Sequence, residues 1–361
     1  MDNTETPDNF IMFFAVWDEK LGPKVLERYP SKCSIDIDET SVQIFMSFQT
    51  IFGNSREVRF DRTKLVLPLK SLKRVAKILL DSTTNPSIRG GFLPFVVVFL
   101  LPLDFPEEQL TIYNVVQTQI VEHYLQNNKI KLTDYLSQTQ IETDKLGQQL
   151  NQQAFKSMKE KNFVKAIELF SQSVAIMRIT ENFQKIRKYR NDLNNARAKR
   201  VTELLSMGQK AQREKIWEDS IKYIENALKL AEEAQNDSLV KKCHQNLDAG
   251  LAMWARPYYE NSLKLYASKQ YEAAIQNLSQ GFDIISRTES KKTRIPYEKL
   301  QSSAYSDWAI QIRSETLQQV KEKHLHRANE MMLDAIEKAK LGKNLKLRNK
   351  LEKDLAKLPN P

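Results

Sequence analysis

Two stretches in the first 130 residues are apolar at every position, residues 10–17 and 95–101. A strand covered on both faces has this pattern, because both of its rows of side chains lie in a core. Residues 24–29 mix polar and apolar side chains, which predicts the second strand of a hairpin. The tripeptide Leu21-Gly22-Pro23 is a turn signal and joins the two strands of that hairpin.

Two helices are predicted around these strands. The first begins at Asp38 and ends at Gly53, and its spacing of three and four residues predicts a buried face of Val42, Phe45, Met46, Gln49 and Phe52. Short strands are expected at 57–60, 64–69 and 74–80. The second helix covers 106–126 and places on one face Leu110, Tyr113, Val116, Ile120 and Tyr124. The predicted fold class is α+β, with the order β-β-α-β-β-β-α.

The remaining 230 residues repeat with a period of 54. Four gapless copies align a bulky position (Phe163, Trp217, Tyr271, Leu325) with a small position three residues later (Ala166, Ser220, Ala274, Ala328). Large apolar residues follow in each copy at Phe170, Ile224, Leu278 and Met332. A second small position lies three residues after these, at Ser173, Ala227, Gly281 and Ala335. A third lies twelve residues before the first small position, at Ala154, Gly208, Ser262 and Thr316. A phase shared by four copies predicts stacked helical hairpins, in which small residues permit close approach of the helices.

The helices of these hairpins are expected to be long. We predict second helices of about 20 residues, such as 217–234, and first helices of about 28, such as 184–214. Pro296 is placed where it can start a first helix, and Pro257 falls inside one, where we expect a kink. Residues 344–358 are predicted to form a terminal capping helix.

Charge and proline content both change near the same place. Residues 1–131 carry a net charge of −1 and residues 132–361 a net charge of +11, and eight of the twelve prolines precede residue 107. We therefore predict a flexible N-terminus (1–9), a first domain (10–131) and a helical repeat domain (132–361), with the boundary near 127–145. The polar N-terminus is not a signal peptide, and the longest apolar run, 92–103, is too short to span a bilayer. A soluble cytoplasmic protein is expected.

Candidate chemistry is sparse. The sequence has no Walker loop, no G-x-G-x-x-G, no H-E-x-x-H and no Cys-x-x-Cys. Cys33 and Cys243 cannot build a disulfide framework, and their use favours a reducing compartment. His324 and His326 stand two residues apart and do not share a helix face. Gly90-Gly91 favours a loop hinge over a phosphate cradle. We expect no catalytic residue, no cofactor and no metal.

The N-terminal order resembles the longin fold, a relative of the roadblock fold. The resemblance rests on the hairpin Trp17-Asp18-Glu19-Lys20-Leu21-Gly22-Pro23-Lys24-Val25 and on Arg89-Gly90-Gly91 before Pro94-Phe95-Val96, as in archaeal proteins of eukaryote-like trafficking type. It implies binding of small GTPases, coat or tether subunits through sheet edges and helix faces. The candidate partner surface is Lys24, Glu27, Tyr29, Asp38 and Phe45. The heptad helix and membrane anchor of longin SNAREs are absent from the sequence, which argues against a fusion role.

The repeat is similar to the tetratricopeptide repeat, from which it departs in its period of 54 rather than 34 and in lacking the closing proline. The resemblance implies a peptide groove along the first helices, with candidate positions Asn151, Phe155, Leu205, Gln209, Tyr259, Leu263, Tyr266 and Arg313. Of the family's carboxylate clamp only Asn151 is in place. The alternative is that several of these side chains pack against neighbouring helices, since the helices here are longer.

These patterns predict a non-enzymatic adaptor. The longin-like module would bind a small GTPase or a like-folded trafficking partner, and the repeats would bind a second protein. The alternative is a basic helical platform for nucleic acid or an anionic membrane surface, suggested by clusters such as Lys185, Arg187, Lys188 and Arg190. Acidic residues are interleaved with these clusters, and a solvated charged face is the usual meaning of such a pattern.

Overall fold

The computed structural model describes residues 9–18, 20–52, 62–87, 91–288 and 290–358. The chain forms two compact units, Met1–Ala196 and Arg197–Pro361. Several expectations lie outside the described residues: the flexible terminus 1–8, Glu19 of the hairpin, the helix end at Gly53, the strand 57–60, and Arg89 with Gly90.

The first unit contains a five-stranded antiparallel sheet. Its strands are β1 (Ile11–Asp18), β2 (Gly22–Tyr29), β3 (Thr63–Leu69), β4 (Arg74–Thr84) and β5 (Phe92–Pro102), in the spatial order β2-β1-β5-β4-β3. The two apolar stretches are β1 and β5, inside the sheet and buried on both faces. This confirms the prediction drawn from their uninterrupted apolar sequence.

The turn between β1 and β2 follows from its residues. One carboxylate oxygen of Asp18 accepts hydrogen bonds from the backbone N–H groups of Lys20 (2.9 Å) and Leu21 (3.0 Å). Gly22 then takes a φ of +82°, a left-handed conformation that glycine adopts without strain. The two backbone hydrogen bonds lower the pKa of the Asp18 carboxyl.

Helix α1 (Ile37–Phe52) covers one face of the sheet with Ile44, Phe45 and Phe48. The predicted face was wrong for Val42 and Met46, which are 38% and 59% exposed; the side chains of Gln49 and Phe52 lie outside the described part. The helix carries two adjacent apolar stripes, and spacing along the chain does not say which of them meets the sheet.

The opposite face of the sheet packs against a 3₁₀ segment (Glu107–Tyr113) and α2 (Asn114–Asn127). All five residues predicted for the inner face of this region are buried. A second 3₁₀ segment (Leu132–Tyr135), α3 (Leu136–Lys159) and α4 (Phe163–Ile179) follow, and Leu146, Leu150 and Phe170 belong to the same core as Phe99. That core extends across residue 131, where the change in composition placed the domain boundary.

Seven further helices complete the described chain. They are α5 (Phe183–Arg213), α6 (Trp217–Glu233), α7 (Asp237–Ala267), α8 (Tyr271–Ile285), α9 (Lys291–Lys321), α10 (Leu325–Leu341) and α11 (Leu345–Leu355). The four bulky repeat residues are the first residues of α4, α6, α8 and α10. The turn before each contains a lysine with left-handed φ, Lys161, Lys215, Lys269 and Lys323. The 54-residue register is thereby confirmed.

The small repeat positions lie at close helix contacts. Ala166, Ser220 and Ala274 are 0% exposed and Ala328 is 1% exposed, as expected for positions where two helices approach. The first helices α5, α7 and α9 have 31 residues each, and the second helices α6 and α10 have 17. These values agree with the predicted long hairpins.

The predictions for the two prolines of the helical half had different outcomes. Pro257 lies inside α7, as predicted. The prediction that Pro296 starts a helix was wrong, because α9 begins five residues earlier, at Lys291. Helix α7 begins at Asp237, 54 residues before Lys291, so the helix start follows the repeat phase rather than the proline. Asn344 begins the predicted terminal helix: its side chain accepts a hydrogen bond from the N–H of Leu347 (3.1 Å).

Candidate functional site

The first candidate surface is formed by β2 and α1 and is called here the β2–α1 surface. Among the described residues β2 pairs with β1 alone, so it is an edge strand of the described sheet. Helix α1 packs beside β2. Four large apolar side chains are exposed on β2, on α1 and in the turn between β1 and β2: Leu21, Leu26, Val42 and Met46.

The residues predicted for this surface fall into two groups. Lys24 and Asp38 are exposed, and Glu27 and Tyr29 are half-buried. Phe45 is only 5% exposed: its ring packs on Trp17 at 5.6 Å and on Phe48 at 6.5 Å between centroids. Phe45 therefore belongs to the core, and naming it as a surface residue was wrong.

The apolar residues of this surface were missed by the sequence reasoning. Val42 and Met46 had been placed in the core by helix periodicity. Leu26 lies where the β1–β2 register shifts, since Phe14 faces Glu27 and Ala15 faces Val25. Such a bulge adds one residue to a strand and turns it away from its partner. The sequence of β2 breaks strict alternation at this point, with Val25 and Leu26 both apolar, and that break was the signal that could have found the extra residue.

The candidate groove positions of the first unit are Asn151 and Phe155. Asn151 is buried and donates a hydrogen bond to Asp192 on α5 (3.4 Å). Phe155 is partly exposed and packs edge-on against Phe170 of α4, with ring centroids 5.1 Å apart. Both side chains thus have partners within their own unit.

In the second unit most groove positions join one first helix to the next. Leu205 is buried in a cluster with residues of α7. Gln209 donates to Asn246 (3.0 Å) and Tyr259 packs on Tyr297 with ring centroids 4.8 Å apart. Tyr266 donates to Asp307, and Arg313 pairs with Asp354 at 2.7 Å. These contacts correspond to the alternative that longer helices use such residues for packing.

Leu263 differs from those residues, since it is 41% exposed. Leu317, the repeat equivalent of Leu263 on α9, is also 41% exposed and was missed by the sequence reasoning. The repeat period could have identified Leu317, because it stands 54 residues after Leu263. Gln209, Leu263 and Leu317 thus occupy the same phase on the neighbouring first helices α5, α7 and α9.

Charge is segregated between the two sets of helices in this unit. The first helices α7, α9 and α11 carry net charges of +1, +3 and +2, and residues 197–213 of α5 carry +4. The second helices α6, α8 and α10 carry −3, −2 and 0. Because the hydrogen bonds described above hold the first helices side by side, the cationic helices are neighbours of one another.

Groups with chemical reactivity are few. The described residues contain no cluster of three His, Cys, Asp or Glu that could hold a metal ion. Cys243 is fully buried and its burial raises the pKa of its thiol, while Cys33 donates its S–H to the carbonyl of Ile35 (3.2 Å). His324 lies near Glu322 and His326 near Glu330, and both rings are exposed.

One cavity of about 240 Å³ lies within the first unit. Its lining includes Phe10, Tyr29, Thr139, Gln140 and Glu181. The hydroxyl of Thr139 is already bonded to the carbonyl oxygen of Tyr135 (2.9 Å). Among the described residues, no helix combines the length and hydropathy that a membrane span requires.

Comparison with known proteins found no matching family model, no matching curated protein and no matching solved structure.

Proposed function

We propose that this chain is a non-enzymatic adaptor with two protein-binding surfaces. The β2–α1 surface would bind a small GTPase or a longin- or roadblock-like trafficking partner in the cytoplasm. The helical repeats would bind a second protein. This proposal combines the resemblance of the first domain to longin proteins with the surfaces that the two units present.

One observation carries the proposal. Strand β2 is at the edge of the described sheet and contacts α1, which exposes Val42 and Met46, so a strand edge and exposed apolar side chains occur on two neighbouring elements. A partner strand pairs with the backbone of an edge strand, and apolar residues flanking it supply contact area that water would otherwise cover. A domain without a catalytic constellation acts through such surfaces.

A titration of the full chain tests this proposal. Small GTPases of the source organism, loaded with GDP or with a non-hydrolysable GTP analogue, are titrated against the wild type and against Leu26→Asp and Met46→Asp. We expect binding in one nucleotide state and a loss of at least tenfold in both variants. Val115→Asp is the matched control, because Val115 is 58% exposed on α2 at the other face of the sheet. Absence of binding by every GTPase in both states would contradict the GTPase as the partner of this surface; the same titration with longin- and roadblock-like proteins of the organism, if also negative, would contradict the proposal as a whole.

A second candidate function is supported by the charge segregation. The cationic first helices of the second unit offer an electrostatic platform for nucleic acid or an anionic membrane. The same helices also carry acidic side chains, which weaken such binding; Glu260, for example, is paired with Arg256 at 2.7 Å. We therefore rank this function below the adaptor and give its test among the predictions.

A further inference from the structure

We infer that the first-helix face of the second unit binds an acidic amphipathic helix of a partner protein. This face is defined by Gln209, Leu263 and Leu317 together with Lys210, Lys264 and Lys321. The inference rests on the proposed adaptor function, of which it specifies the second partner.

The apolar part of this face is a row with a repeat register. Leu263 and Leu317 stand at equivalent positions of α7 and α9, and each leaves 41% of its surface exposed. One turn further along α7, Tyr266 is held by its hydrogen bond to Asp307, which with burial raises its pKa to about 12. Leu263 therefore lies one turn from a side chain that is held in place by the neighbouring first helix.

Helices limit how a partner can bind here. The backbone groups of α7 and α9 are consumed by their own helical hydrogen bonds, so a partner strand finds nothing to pair with. Recognition must use side chains, and two leucines in equivalent places on adjacent helices match the apolar face of an amphipathic helix. This distinguishes the first-helix face from the β2–α1 surface, which includes an edge strand.

The rim of the face sets the charge of the partner. Lys210 and Lys264 directly follow the row residues Gln209 and Leu263, and Lys321 lies one turn beyond Leu317. Lys264 and Lys321 are exposed and form no ion pair with any described residue, whereas Lys210 is 3.9 Å from Glu214. Carboxylates flanking the apolar face of the partner complement these ammonium groups.

A protein partner suits this face better than nucleic acid does. Bases stack on aromatic rings, whereas the apolar members of the row are the two leucines, and Tyr259 already packs on Tyr297. Glu260 and Glu315 lie on the same two helices and repel phosphates. An amphipathic peptide accommodates both features, because it can place apolar residues over the leucines and position its carboxylates at the rim.

The experiment uses the full chain and a synthetic fluorescein-labelled peptide of about 18 residues, five helical turns. Its leucines follow a spacing of three and four, and glutamates flank them. We expect saturable binding by fluorescence anisotropy, about tenfold weaker for Leu263→Ser and Leu317→Ser. Leu333→Ser is the matched control, since Leu333 is exposed on α10 in the other set of helices.

Charge is tested by a second pair of variants. Lys264→Glu combined with Lys321→Glu should weaken binding severalfold at low salt and less at high salt. Lys222→Glu with Lys229→Glu makes the same change in net charge on α6 and should leave binding unchanged. Melting curves verify that each variant folds.

Three outcomes would overturn the inference: equal binding of a scrambled peptide, equal binding of a peptide with lysine for glutamate, or tighter binding of an RNA oligonucleotide. The Met46→Asp variant separates this test from that of the adaptor function, since it should bind the peptide as the wild type does. If the peptide does not bind while a GTPase does, the inference about the first-helix face is wrong and the proposal for the β2–α1 surface stands.

Discussion

The phenolic oxygen of Tyr113 and the hydroxyl oxygen of Thr143 lie 3.0 Å apart, and both side chains are fully buried. Thr143 donates its only hydroxyl proton to the carbonyl of Thr139 (2.7 Å), so Tyr113 donates to Thr143. Burial holds the pKa of Tyr113 far above its ordinary value. This bond ties the segment after β5 to the first helix beyond residue 131.

The first prediction concerns this bond. Thr143→Val leaves the Tyr113 hydroxyl buried without an acceptor and should lower the free energy of unfolding by about 1–3 kcal/mol. The double variant with Tyr113→Phe removes both polar groups and should be more stable than the sum of the single changes implies. Urea unfolding measures all three. Thr118→Val, which loses only a bond to its own helix at Asn114, is the control; an equal loss there would contradict the assignment.

The second prediction is a stabilising substitution. The Ser220 hydroxyl is buried and has no hydrogen-bond partner in the described structure, and alanine occupies the equivalent positions in the other three repeats. Ser220→Ala should raise the free energy of unfolding by about 1 kcal/mol, because an unpaired polar group no longer has to be desolvated. Ser173→Ala should do the opposite, since its hydroxyl donates to the Gly147 carbonyl at 2.8 Å. Thermal melts that shift both variants in the same direction would refute this account.

The third prediction concerns close packing at Gly281. A Cβ atom there would lie 2.8 Å from Cε1 of Tyr297 and 3.1 Å from Cβ of Tyr258. Glycine to alanine inside a helix ordinarily stabilises by about 0.5–1 kcal/mol, but overpacking costs about 1–3 kcal/mol, so Gly281→Ala should destabilise. In a double-mutant cycle, Gly281→Ala should cost less in a Tyr297→Leu background than in the wild type, because the nearer clash is removed. A stabilised single variant would show that the helices can separate.

The fourth prediction follows from the Asp18 turn. The folded-state pKa of Asp18 is lowered, so its stabilising contribution is present above the unfolded value of about 3.9 and is lost as pH falls through the folded-state pKa. Carbon-detected NMR titration should find the Asp18 carboxyl titrating below that unfolded value. In urea melts at about pH 5 and pH 3, Asp18→Ala should lose less stability on acidification than the wild type. Equal losses would argue against the two backbone hydrogen bonds.

The fifth prediction concerns salt. Any binding of nucleic acid by the cationic helices should be weak and non-specific and should disappear near physiological ionic strength, since counterion release makes phosphate contacts salt-dependent. Anisotropy titrations of a labelled RNA and a labelled duplex DNA over a salt series measure this. Sub-micromolar affinity for either at physiological salt would reverse our ranking of the two candidate functions.

Repetition made much of the helical half predictable. Four copies in one phase located Phe163, Trp217, Tyr271 and Leu325 at helix starts, because only helices that pack in the same way hold small and large residues in register. The helix start predicted at Pro296 was wrong, because the preference of proline for the first turn of a helix was given more weight than the repeat register. The two central strands were predictable for a related reason: uninterrupted apolar residues fit a strand covered on both faces.

The candidate surfaces were less predictable. Helix α1 has two apolar stripes, and only the placement of the helix on the sheet decides that Phe45 is buried and Met46 exposed. The groove positions were projected from the tetratricopeptide resemblance, yet Tyr259, Tyr266 and Arg313 contact neighbouring helices through long side chains. How far such side chains reach across to the next helix depends on the distance between helices, which periodicity does not encode.

The amino-acid sequence by itself determined which stretches form the central strands and the long helices, because turn residues and apolar spacing act over a few neighbouring residues. The start of α9 was the exception, since it follows the repeat register and not the nearby proline. It also determined the repeat, since identical spacing produces equivalent hairpins. Only the tertiary structure decided which apolar side chains remain exposed, because burial depends on residues distant in sequence. For the same reason it alone decided that Tyr113 meets Thr143 inside one core that extends across the compositional boundary, and that Leu263 and Leu317 stay uncovered.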